Sequence, residues 1–477
     1  MNYQYKFFRF VSSHKTYTDF LCRGYKKTFS EKRGTLSLCE FRIASAPAAQ
    51  CDKNFMEEQM MKKVIALLLA LTMIAALFVG CAKNDEKPSE DNKPSESTPA
   101  SSDDNNEPAN TDPIKIGSIQ DLSGSASIAG QPQAWGVEYA VRLINENGGI
   151  NGRQIELYTR DCQNDAEVGV TCYRELVDEI GVCAIIGPAL SNPASAWVEL
   201  ATEDKIPIVG HFMDDLCTTD PDTGDAYPYM FLAEPSCAVQ SYIVAEYAMT
   251  KLNVKTTATL YNTSNAFAVA HETPFVDYMK NNGGEVLTEE TFGWTDTDYS
   301  AQAQKIASLN PDAVFLCDYA AQVSAAYDNL RDAGYTGIIL GANTLCTPFD
   351  TLVKNEIKDV YFVQNYDLPE GKIGELTDIH MKETGTAFRS TNVGFGWDAM
   401  QVLASAMLQA KEPTDGEEVR GILENNTKDV ESCGGEMITI DPSIHRPTRD
   451  MKMYIASYDD SGALVYLDLL SSDYKAN

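Results

Sequence analysis

The chain has 477 residues and a formal net charge of −31 at pH 7, from 69 acidic and 38 basic side chains. This balance excludes nucleic acid as a partner, because phosphate binding needs a basic face. It also excludes electrostatic docking on anionic lipid, and its main consequence is solubility. The 12 cysteines include no C-x-x-C pair, so neither a zinc site nor a thioredoxin-like site is indicated.

Residues 60–81, MMKKVIALLLALTMIAALFVGC, have the pattern of a secretory signal peptide. Lys62 and Lys63 precede an uncharged apolar run at 64–79, which is shorter than the roughly 20 residues that span a bilayer comfortably. The small residue followed by Cys81 resembles a bacterial lipobox, which implies cleavage before Cys81 and diacylglycerol on its thiol. The alternative is a single N-terminal anchor helix. Both predict that the rest of the chain works outside the cytoplasm, attached to a membrane.

The segments on either side of this signal are not expected to fold. A signal peptide stands at the N-terminus, so we predict that residues 1–59 are not part of the mature protein and that 60–80 is removed. Residues 81–112 are rich in Ser, Pro, Asp, Glu and Asn and contain almost no aliphatic side chains. Such a segment buries too little apolar surface to fold, so we predict a disordered acidic linker.

Strand and helix patterns then alternate from residue 114 to about residue 408, which predicts two α/β lobes. The first run has strands at 114–119, 154–158, 183–186 and 206–209, with helices at 135–147, at 168–180 and from 192. The second run has helices at 239–252, 267–282, 299–309 and 322–333, with strands at 256–261, 285–290, 313–316 and 338–340. Helices at 394–409 and 417–425 and strands at 451–458 and 463–469 follow.

A ligand site is expected beyond the carboxyl ends of the strands, as in other open α/β sheets. Those ends fall at 120–124, 187–192, 210–214, 262–267, 317–320 and 341–344.

Eight segments, taken in order, resemble the leucine/isoleucine/valine-type extracytoplasmic solute-binding proteins of ABC transporters. They are IKIGSIQDLSG (114–124), INENGGINGRQIEL (144–157), IIGPALSNPASA (185–196), IPIVG (206–210), NNGGEVLTEETF (281–292), DTDYSAQAQKI (296–306), PDAVFLCDY (311–319) and WDAMQVLASAML (397–408). The resemblance implies a type I periplasmic-binding fold with three hinge crossings. It places lobe 1 at 113–236 plus 365–447 and lobe 2 at 237–364 plus 448–471. The ligand would be trapped between the lobes by hinge closure.

The resemblance also implies ligand contacts for three residues. Ser191 matches the serine that takes the ligand carboxylate, near the start of a helix, where free N–H groups favour anions; a plain N-cap serine is the alternative. Phe267 stands where the family often has a tyrosine that stacks on the ligand. Tyr319 matches a second tyrosine of the cleft. We expect Ser191 and Tyr319 to face each other across the two lobes.

Other positions depart from the family pattern and put branched-chain amino acids in doubt. Phe212 and Asp214 belong to a loop that uses backbone groups and a hydroxyl residue in the family. Asn343 stands where an acidic residue often binds the ligand's ammonium, and Ala129 where an aromatic residue often closes the pocket. Asp121, Asp214 and Asp318 each stand at a predicted strand end, where one of them could pair with a positive group of the ligand, although each also fits an ordinary solvated loop aspartate. For an amino-acid-like ligand we expect Asp214 or Asp121 to take this role.

No motif of a catalytic site accompanies these residues. The five histidines lie outside any H-E-x-x-H pattern, and neither G-x-S-x-G nor a P-loop occurs. We therefore expect a binding protein without enzymatic activity, cofactor or metal, with an ABC permease as its partner. A ligand sensor that acts with a separate receptor or kinase is the alternative. Eight cysteines follow Cys81, and the sequence leaves open whether they pair as disulfides or stay buried thiols.

Overall fold

The computed structural model describes residues 110–427, 430–447 and 452–471. Its first sheet has five parallel strands in the order β2-β1-β3-β4-β5. Short apolar runs form β3, β4 and β5. These strands and β1 are almost wholly buried, whereas β2, at the edge of the sheet, is mostly half-buried. The strands are β1 (Ile114–Gln120), β2 (Ile155–Asp161), β3 (Ala184–Ile186), β4 (Ile208–Gly210) and β5 (Met230–Leu232).

Helices cover both faces of this first sheet. Apolar residues of α1, α11 and α12 form one core with Ile114 and Ile116 of β1, and Tyr173 and Trp197 belong to a second core on the other side. The helices of this lobe are α1 (Ser127–Glu146), α2 (Ala166–Arg174) with a π-helical continuation (Glu175–Ile180), α3 (Ser191–Ser195), α4 (Val198–Asp204), α10 (Gly371–Thr384), α11 (Thr391–Gln409) and α12 (Gly416–Asn426).

Two glycines allow α1 and α11 to cross at backbone contact. A Cβ at Gly136 would lie 2.2 Å from the carbonyl oxygen of Val393, and one at Gly396 would lie 2.0 Å from that of Gln133. No side chain fits at these distances. The late helix α11 is therefore fixed against α1 of the first lobe, although the two helices are far apart in sequence.

The second sheet has seven strands in the order β16-β15-β10-β9-β8-β6-β7. Strands β6 to β10 pair in parallel, whereas β15 pairs antiparallel with both β10 and β16. The strands are β6 (Thr256–Asn262), β7 (Glu285–Phe292), β8 (Ala313–Cys317), β9 (Ile338–Gly341), β10 (Val360–Gln364), β15 (Met453–Tyr458) and β16 (Leu464–Leu470). The helices of this lobe are α5 (Cys237–Thr250), α6 (Ala266–Asn281), α7 (Ser300–Leu309), α8 (Ala320–Asp332) and α9 (Phe349–Leu352).

The chain passes from one lobe to the other three times. The first crossing follows β5 at 233–236, and the second follows β10 at 365–370. The third lies between β14 (Arg446–Pro447) and β15, and residues 448–451 of it fall outside the described part of the chain. Before it come three more strands of two residues each, β11 (Val430–Glu431), β12 (Met437–Ile438) and β13 (Ile440–Asp441).

The predicted two-lobe α/β fold with three crossings is confirmed, although several elements differ from the sequence prediction. Strands β5 and β10 and helix α10 were not predicted. Helix α1 begins at Ser127 rather than at Trp135. The sequence prediction missed the first turns because Gly130 and Pro132, which both lie inside the helix, interrupt the helical sequence pattern. The two last strands add an antiparallel edge to an otherwise parallel sheet.

Candidate functional site

A cavity lies between the two lobes, at the carboxyl ends of the parallel strands. Loops after β1, β3 and β4 form its first-lobe wall, and the start of α6 with the loops after β8 and β9 forms its second-lobe wall. The segment before and at the start of α11 completes it. The residues that line the cavity are Ala126, Ile128, Ala129, Ala189, Leu190, His211, Phe267, Tyr319, Ala320, Asn343, Thr344, Cys346, Thr347, Pro348, Ser390, Thr391 and Asn392.

A direct hydrogen bond joins the two walls. The backbone N–H of Ala266, at the start of α6, donates to Oδ1 of Asn192 on α3 over 2.9 Å. The lobes are therefore in contact at the rim of the cavity, as in the closed state of a hinged binding protein.

Aromatic rings form the second-lobe wall. The rings of Phe267 and Tyr319 have centroids 5.8 Å apart, and the Trp294 ring lies at the same distance from the Tyr319 ring. The Tyr319 hydroxyl is buried and has no hydrogen-bond partner. An unpartnered buried hydroxyl is costly, so it is a group that a ligand in the cavity can satisfy.

His211 gives the first-lobe wall a neutral polar group. Its ring stacks on Phe395 with centroids 3.5 Å apart, and its Nδ1 has no hydrogen-bond partner. Burial lowers the pKa of His211 well below its ordinary value, so the imidazole carries no charge at neutral pH. The hydroxyl of Thr344, across the cavity, is likewise buried without a partner.

The described lining contains no aspartate, glutamate, lysine or arginine. Recognition in this cavity therefore uses neutral hydrogen-bonding groups and apolar or aromatic surface. A cationic group of a ligand would find no counter-charge on these walls, and an unpaired buried cation is strongly unfavourable.

Ser191 lies just beside the lining residue Leu190, buried at the start of α3. Its Oγ accepts a hydrogen bond from the N–H of Asp214 over 3.3 Å, which fixes the oxygen and leaves the hydroxyl hydrogen to donate elsewhere. Tyr319 stands on the opposite lobe. The structure thus brings Ser191, Phe267, Tyr319 and Asn343 to the region of one cavity.

The carboxylate of Asp121 is used within its own loop rather than on the cavity wall. It accepts hydrogen bonds from the N–H groups of Gly124 at 2.5 Å and Ala126 at 2.8 Å. Burial raises the pKa of Asp121, and these bonds act in the opposite direction. Asp121 therefore holds the loop that carries Ala126, Ile128 and Ala129 to the cavity.

Asp214 and Phe212 also lie off the lining. The Asp214 carboxylate accepts from the N–H of Leu216 over 3.0 Å and so begins a 3₁₀ turn, Asp215–Cys217. Burial raises the pKa of Asp214 to about 6. The Phe212 ring is fully buried in the first-lobe core with Trp197.

The sequence prediction omitted part of the lining. Residues 346–348 and 390–392 were not among the predicted strand ends. The first segment follows a short 3₁₀ turn (Asn343–Leu345), and the second is the N-cap and first turn of α11. A signal was present for the second of these segments. Ser390 is the N-cap of α11 and accepts from the N–H of Asn392 at 3.3 Å, which is the pattern expected of a serine before an apolar helix.

The described part of the chain shows no metal site, no disulfide and no helix that could span a membrane. No group of three or more His, Cys, Asp or Glu side chains there is arranged to hold a metal ion. The eight cysteines from Cys162 to Cys433 are free thiols, and seven of them are buried. None of the described helices is long and apolar enough to cross a bilayer.

Residues 113–463 match the model of the family described as "Periplasmic binding protein". Among curated relatives, the chain is 26% identical over 239 residues to the chemotactic signal transduction system substrate-binding protein BasB of Halobacterium salinarum, covering 49% of this chain and 57% of BasB. It is 24% identical over 323 residues to Leu/Ile/Val-binding protein homolog 7 of Brucella suis, covering 64% and 79%. The chain thus spans little more than half of BasB.

Solved structures share the fold over almost their whole length. The branched-chain amino acid transporter substrate-binding protein LivJ of Streptococcus pneumoniae, in complex with isoleucine, superposes with a TM-score of 0.65 at 24% identity and covers 74% of this chain and 99% of its own. A solute-binding protein of an ABC transporter from R. palustris, in complex with benzoate, gives 0.66 at 20% identity, covering 76% and 97%. The two lobes, the interlobe cavity and the family match together show that this chain belongs to the periplasmic binding proteins, as a type I member of the Leu/Ile/Val-binding kind.

Proposed function

We propose that this protein captures a small organic carboxylate between its lobes and delivers it to an ABC importer, while lipid on Cys81 anchors it to the outer face of the cell membrane. The observation that carries the ligand class is that the described lining offers hydroxyl and amide donors but no carboxylate. Amino-acid-like solutes are the family expectation, and a zwitterion needs a carboxylate for its ammonium. The carboxylates expected to supply it, Asp121 and Asp214, are engaged in loop hydrogen bonds.

Five residues take defined roles in this proposal. Ser191 donates its free hydroxyl hydrogen to the ligand carboxylate, and the unpartnered hydroxyl of Tyr319 binds the ligand from the opposite lobe. Phe267 packs on the apolar part of the ligand, and Asn343 offers an amide where the family often has an acid. Ala129 leaves room at the first-lobe wall.

The fold is compatible with both ligand types. LivJ was solved with isoleucine and the R. palustris protein with benzoate, so this architecture holds an amino acid in one protein and a simple carboxylate in another. The groups at the cavity therefore decide between them here: the hydroxyls of Ser191 and Tyr319 are donors for a carboxylate, whereas the described lining has no carboxylate for an ammonium group. These groups favour the carboxylate without an ammonium group.

Thermal unfolding with matched ligand pairs tests the proposal. Each pair compares an amino acid with the same molecule lacking its α-amino group, for example leucine with 4-methylpentanoate and phenylalanine with 3-phenylpropanoate. A ligand that binds only the folded state raises the unfolding temperature. We expect stabilisation by the deaminated member of at least one pair and little from its amino acid. Stabilisation by leucine or valine, or by neutral sugars alone, would contradict the proposed ligand class.

The membrane anchor is tested by cell fractionation. Because the signal pattern ends at Cys81, Cys81→Ser is expected to release the protein from the membrane fraction or to leave it unprocessed. Mass spectrometry of the wild-type membrane form is expected to show Cys81 as the first residue. An intact 60–80 segment in that form would contradict lipid anchoring.

A sensor is the second candidate, favoured by the chemotactic relative BasB. The same closed lobes would then present the ligand to a receptor rather than to a permease. Deleting the gene for this protein separates the two: cells lose uptake of the ligand in the importer case, whereas they lose the response to the ligand and keep its uptake in the sensor case.

A further inference from the structure

Two buried carboxyl groups meet at the hinge, away from the ligand cavity. Glu234 lies on the first crossing and Asp398 on α11, and both side chains are fully buried. The hydroxyl of Tyr366, on the second crossing, lies 2.6 Å from Oε1 of Glu234 and 2.9 Å from Oδ2 of Asp398. We call Glu234, Tyr366 and Asp398 the hinge triad.

The hydrogen-bond geometry of the hinge triad requires an extra proton. A tyrosine hydroxyl has one hydrogen and donates it to one acceptor, so it donates to only one of the two carboxyl oxygens. The other short contact becomes a hydrogen bond only if that carboxyl is itself protonated and donates to the tyrosine oxygen. Two ionised carboxylates would leave one pair of oxygens in repulsive contact.

The outer oxygens of the triad are already occupied by donors. Oε2 of Glu234 accepts from the amide of Asn365 over 3.0 Å, and Oδ1 of Asp398 accepts from the N–H of Cys433 over 2.7 Å. Each carboxyl turns its other oxygen towards Tyr366, and Oδ2 of Asp398 also accepts a hydrogen bond from the Cys433 thiol over 3.6 Å. The extra proton belongs between Glu234 and Asp398, on the side of the tyrosine.

No cation offsets this pair within the described residues. Neither carboxyl forms an ion pair with a described lysine or arginine. The titratable groups that the packed elements bring to the site are Glu234, Asp398, Tyr366 and Cys433. His211 stacks on Phe395, whose ring lies next to Tyr366. Burial raises the pKa of Glu234, and the charge of Asp398 raises it further. Burial also raises the pKa of Asp398, while its hydrogen bonds lower it.

We propose that Glu234 and Asp398 share one proton through Tyr366, and that this proton stabilises the hinge, so that the lobe arrangement responds to pH. The effect of this proton on ligand capture rests on the proposed function, whereas its effect on the stability of the hinge does not. The triad joins the first crossing, the second crossing and a first-lobe helix, so loss of the proton places two negative charges where the lobes are connected.

A chain of hydrogen bonds leads from the hinge triad to the cavity. Asn365 donates through its backbone N–H to Oε1 of Gln364 over 2.9 Å, and Gln364 donates through Nε2 to the hydroxyl of Thr391 over 3.3 Å. Thr391 lines the cavity. Ligand binding and protonation of the triad are therefore expected to influence each other, and such coupling is reciprocal.

The sign of the pH effect follows from the raised pKa values. An unfolded carboxyl titrates near pH 4, whereas the folded pair keeps its proton to higher pH. Between these limits the folded state binds one more proton than the unfolded state, so stability falls as the pH rises. One extra proton changes the unfolding equilibrium constant about tenfold per pH unit.

The test is chemical unfolding of the ligand-free protein from about pH 5 to about pH 9. Glu234→Gln supplies a permanent hydrogen, because its amide nitrogen donates to the Tyr366 oxygen while its carbonyl still accepts from Asn365. The variant is expected to fold and to lose the tenfold slope. Asp398→Asn is also expected to fold and to lose the slope, because its amide nitrogen donates to the Tyr366 oxygen while its carbonyl still accepts from the N–H of Cys433. Glu375→Gln, an exposed carboxyl of α10 that pairs with Lys372, is the matched control and keeps the wild-type slope.

Three outcomes would overturn the proposal. One is a folded Glu234→Gln protein with the wild-type slope. Another is a double variant as stable as either single variant, because two amides beside Tyr366 leave its hydroxyl without an acceptor. The last outcome needs no variant. We expect the wild type to show the infrared band of a protonated carboxyl at neutral pH and to lose it at alkaline pH. Absence of this band at neutral pH would contradict the shared proton. No step uses a ligand, so failure here is separate from failure of the proposed function.

Discussion

Asn192 and Ala266 hold the two lobes together at the rim of the cavity, through a 2.9 Å hydrogen bond from the Ala266 N–H to Oδ1 of the asparagine. The first residue belongs to α3 and the second starts α6, so the bond exists only when the lobes are closed. It therefore contributes to the closed state and not to an open one.

Asn192→Ala is expected to weaken ligand binding although Asn192 is not a lining residue. Losing one hydrogen bond of the closed state costs about 0.5–1.5 kcal/mol, or roughly 2–10-fold in affinity. Asn281→Ala, at the exposed end of α6, is the control and should bind as the wild type does. Equal affinity of the Asn192 variant and the wild type by calorimetry would mean that the bond does not stabilise closure.

Tyr319→Phe is expected to have opposite effects on stability and binding. The Tyr319 hydroxyl is buried without a partner, so removing it should raise the ligand-free free energy of unfolding by about 1 kcal/mol. Removing its bond to the ligand should lower affinity by roughly 2–10-fold. Tyr158→Phe, whose surface hydroxyl donates to Glu156, is the control. A Tyr319 variant that is destabilised without ligand and binds normally would place this hydroxyl outside the site.

Ser191→Ala is expected to reduce affinity more strongly, because its hydroxyl would meet the charged carboxylate of the ligand. A hydrogen bond to a charged group contributes about 1.5–3 kcal/mol, or roughly 10–100-fold. Ser195→Ala on the same short helix removes an exposed hydroxyl that donates to the Asn192 carbonyl, and should leave binding unchanged. Equal losses in both variants would indicate a general effect on α3 rather than ligand contact.

Reducing agents are expected to leave the unfolding temperature unchanged, because the described cysteines are free thiols. Thiol reagents should react slowly with the native protein, even at the half-buried Cys183, whose pKa burial raises to about 12. All of these cysteines should react after denaturation. A fall of several degrees on reduction would reveal a disulfide.

The parallel strands and the edge of the sheets at which the cavity lies follow from simple patterns in the sequence. Buried strands such as AVFLC, followed by a helix start, indicate both the parallel sheet and the edge where a ligand binds. Strand β5 escaped prediction because its three residues, MFL, give no periodicity. The pairing of β15 with β10, which adds the hairpin of β15 and β16 to the second sheet, joins segments far apart in sequence, so no local pattern records it.

The direction of a side chain at a strand end is harder to predict than its position. Asp121 and Asp214 stand at the predicted edge, yet nearby backbone N–H groups hold their carboxylates within the loops. Ser191 and Tyr319 came from a family resemblance, not from periodicity. The hinge triad joins Glu234, Tyr366 and Asp398 over long sequence separations, so only the folded chain brings it together.

Small-angle X-ray scattering with and without a saturating ligand tests the central claim, that a solute is captured by closure of the two lobes. The ligand would be the carboxylate identified by thermal unfolding, at a concentration that calorimetry shows to be saturating. Closure brings the lobes into the contact seen between Asn192 and Ala266, so the radius of gyration should fall when ligand is added. Superimposable curves at saturation would contradict capture by closure.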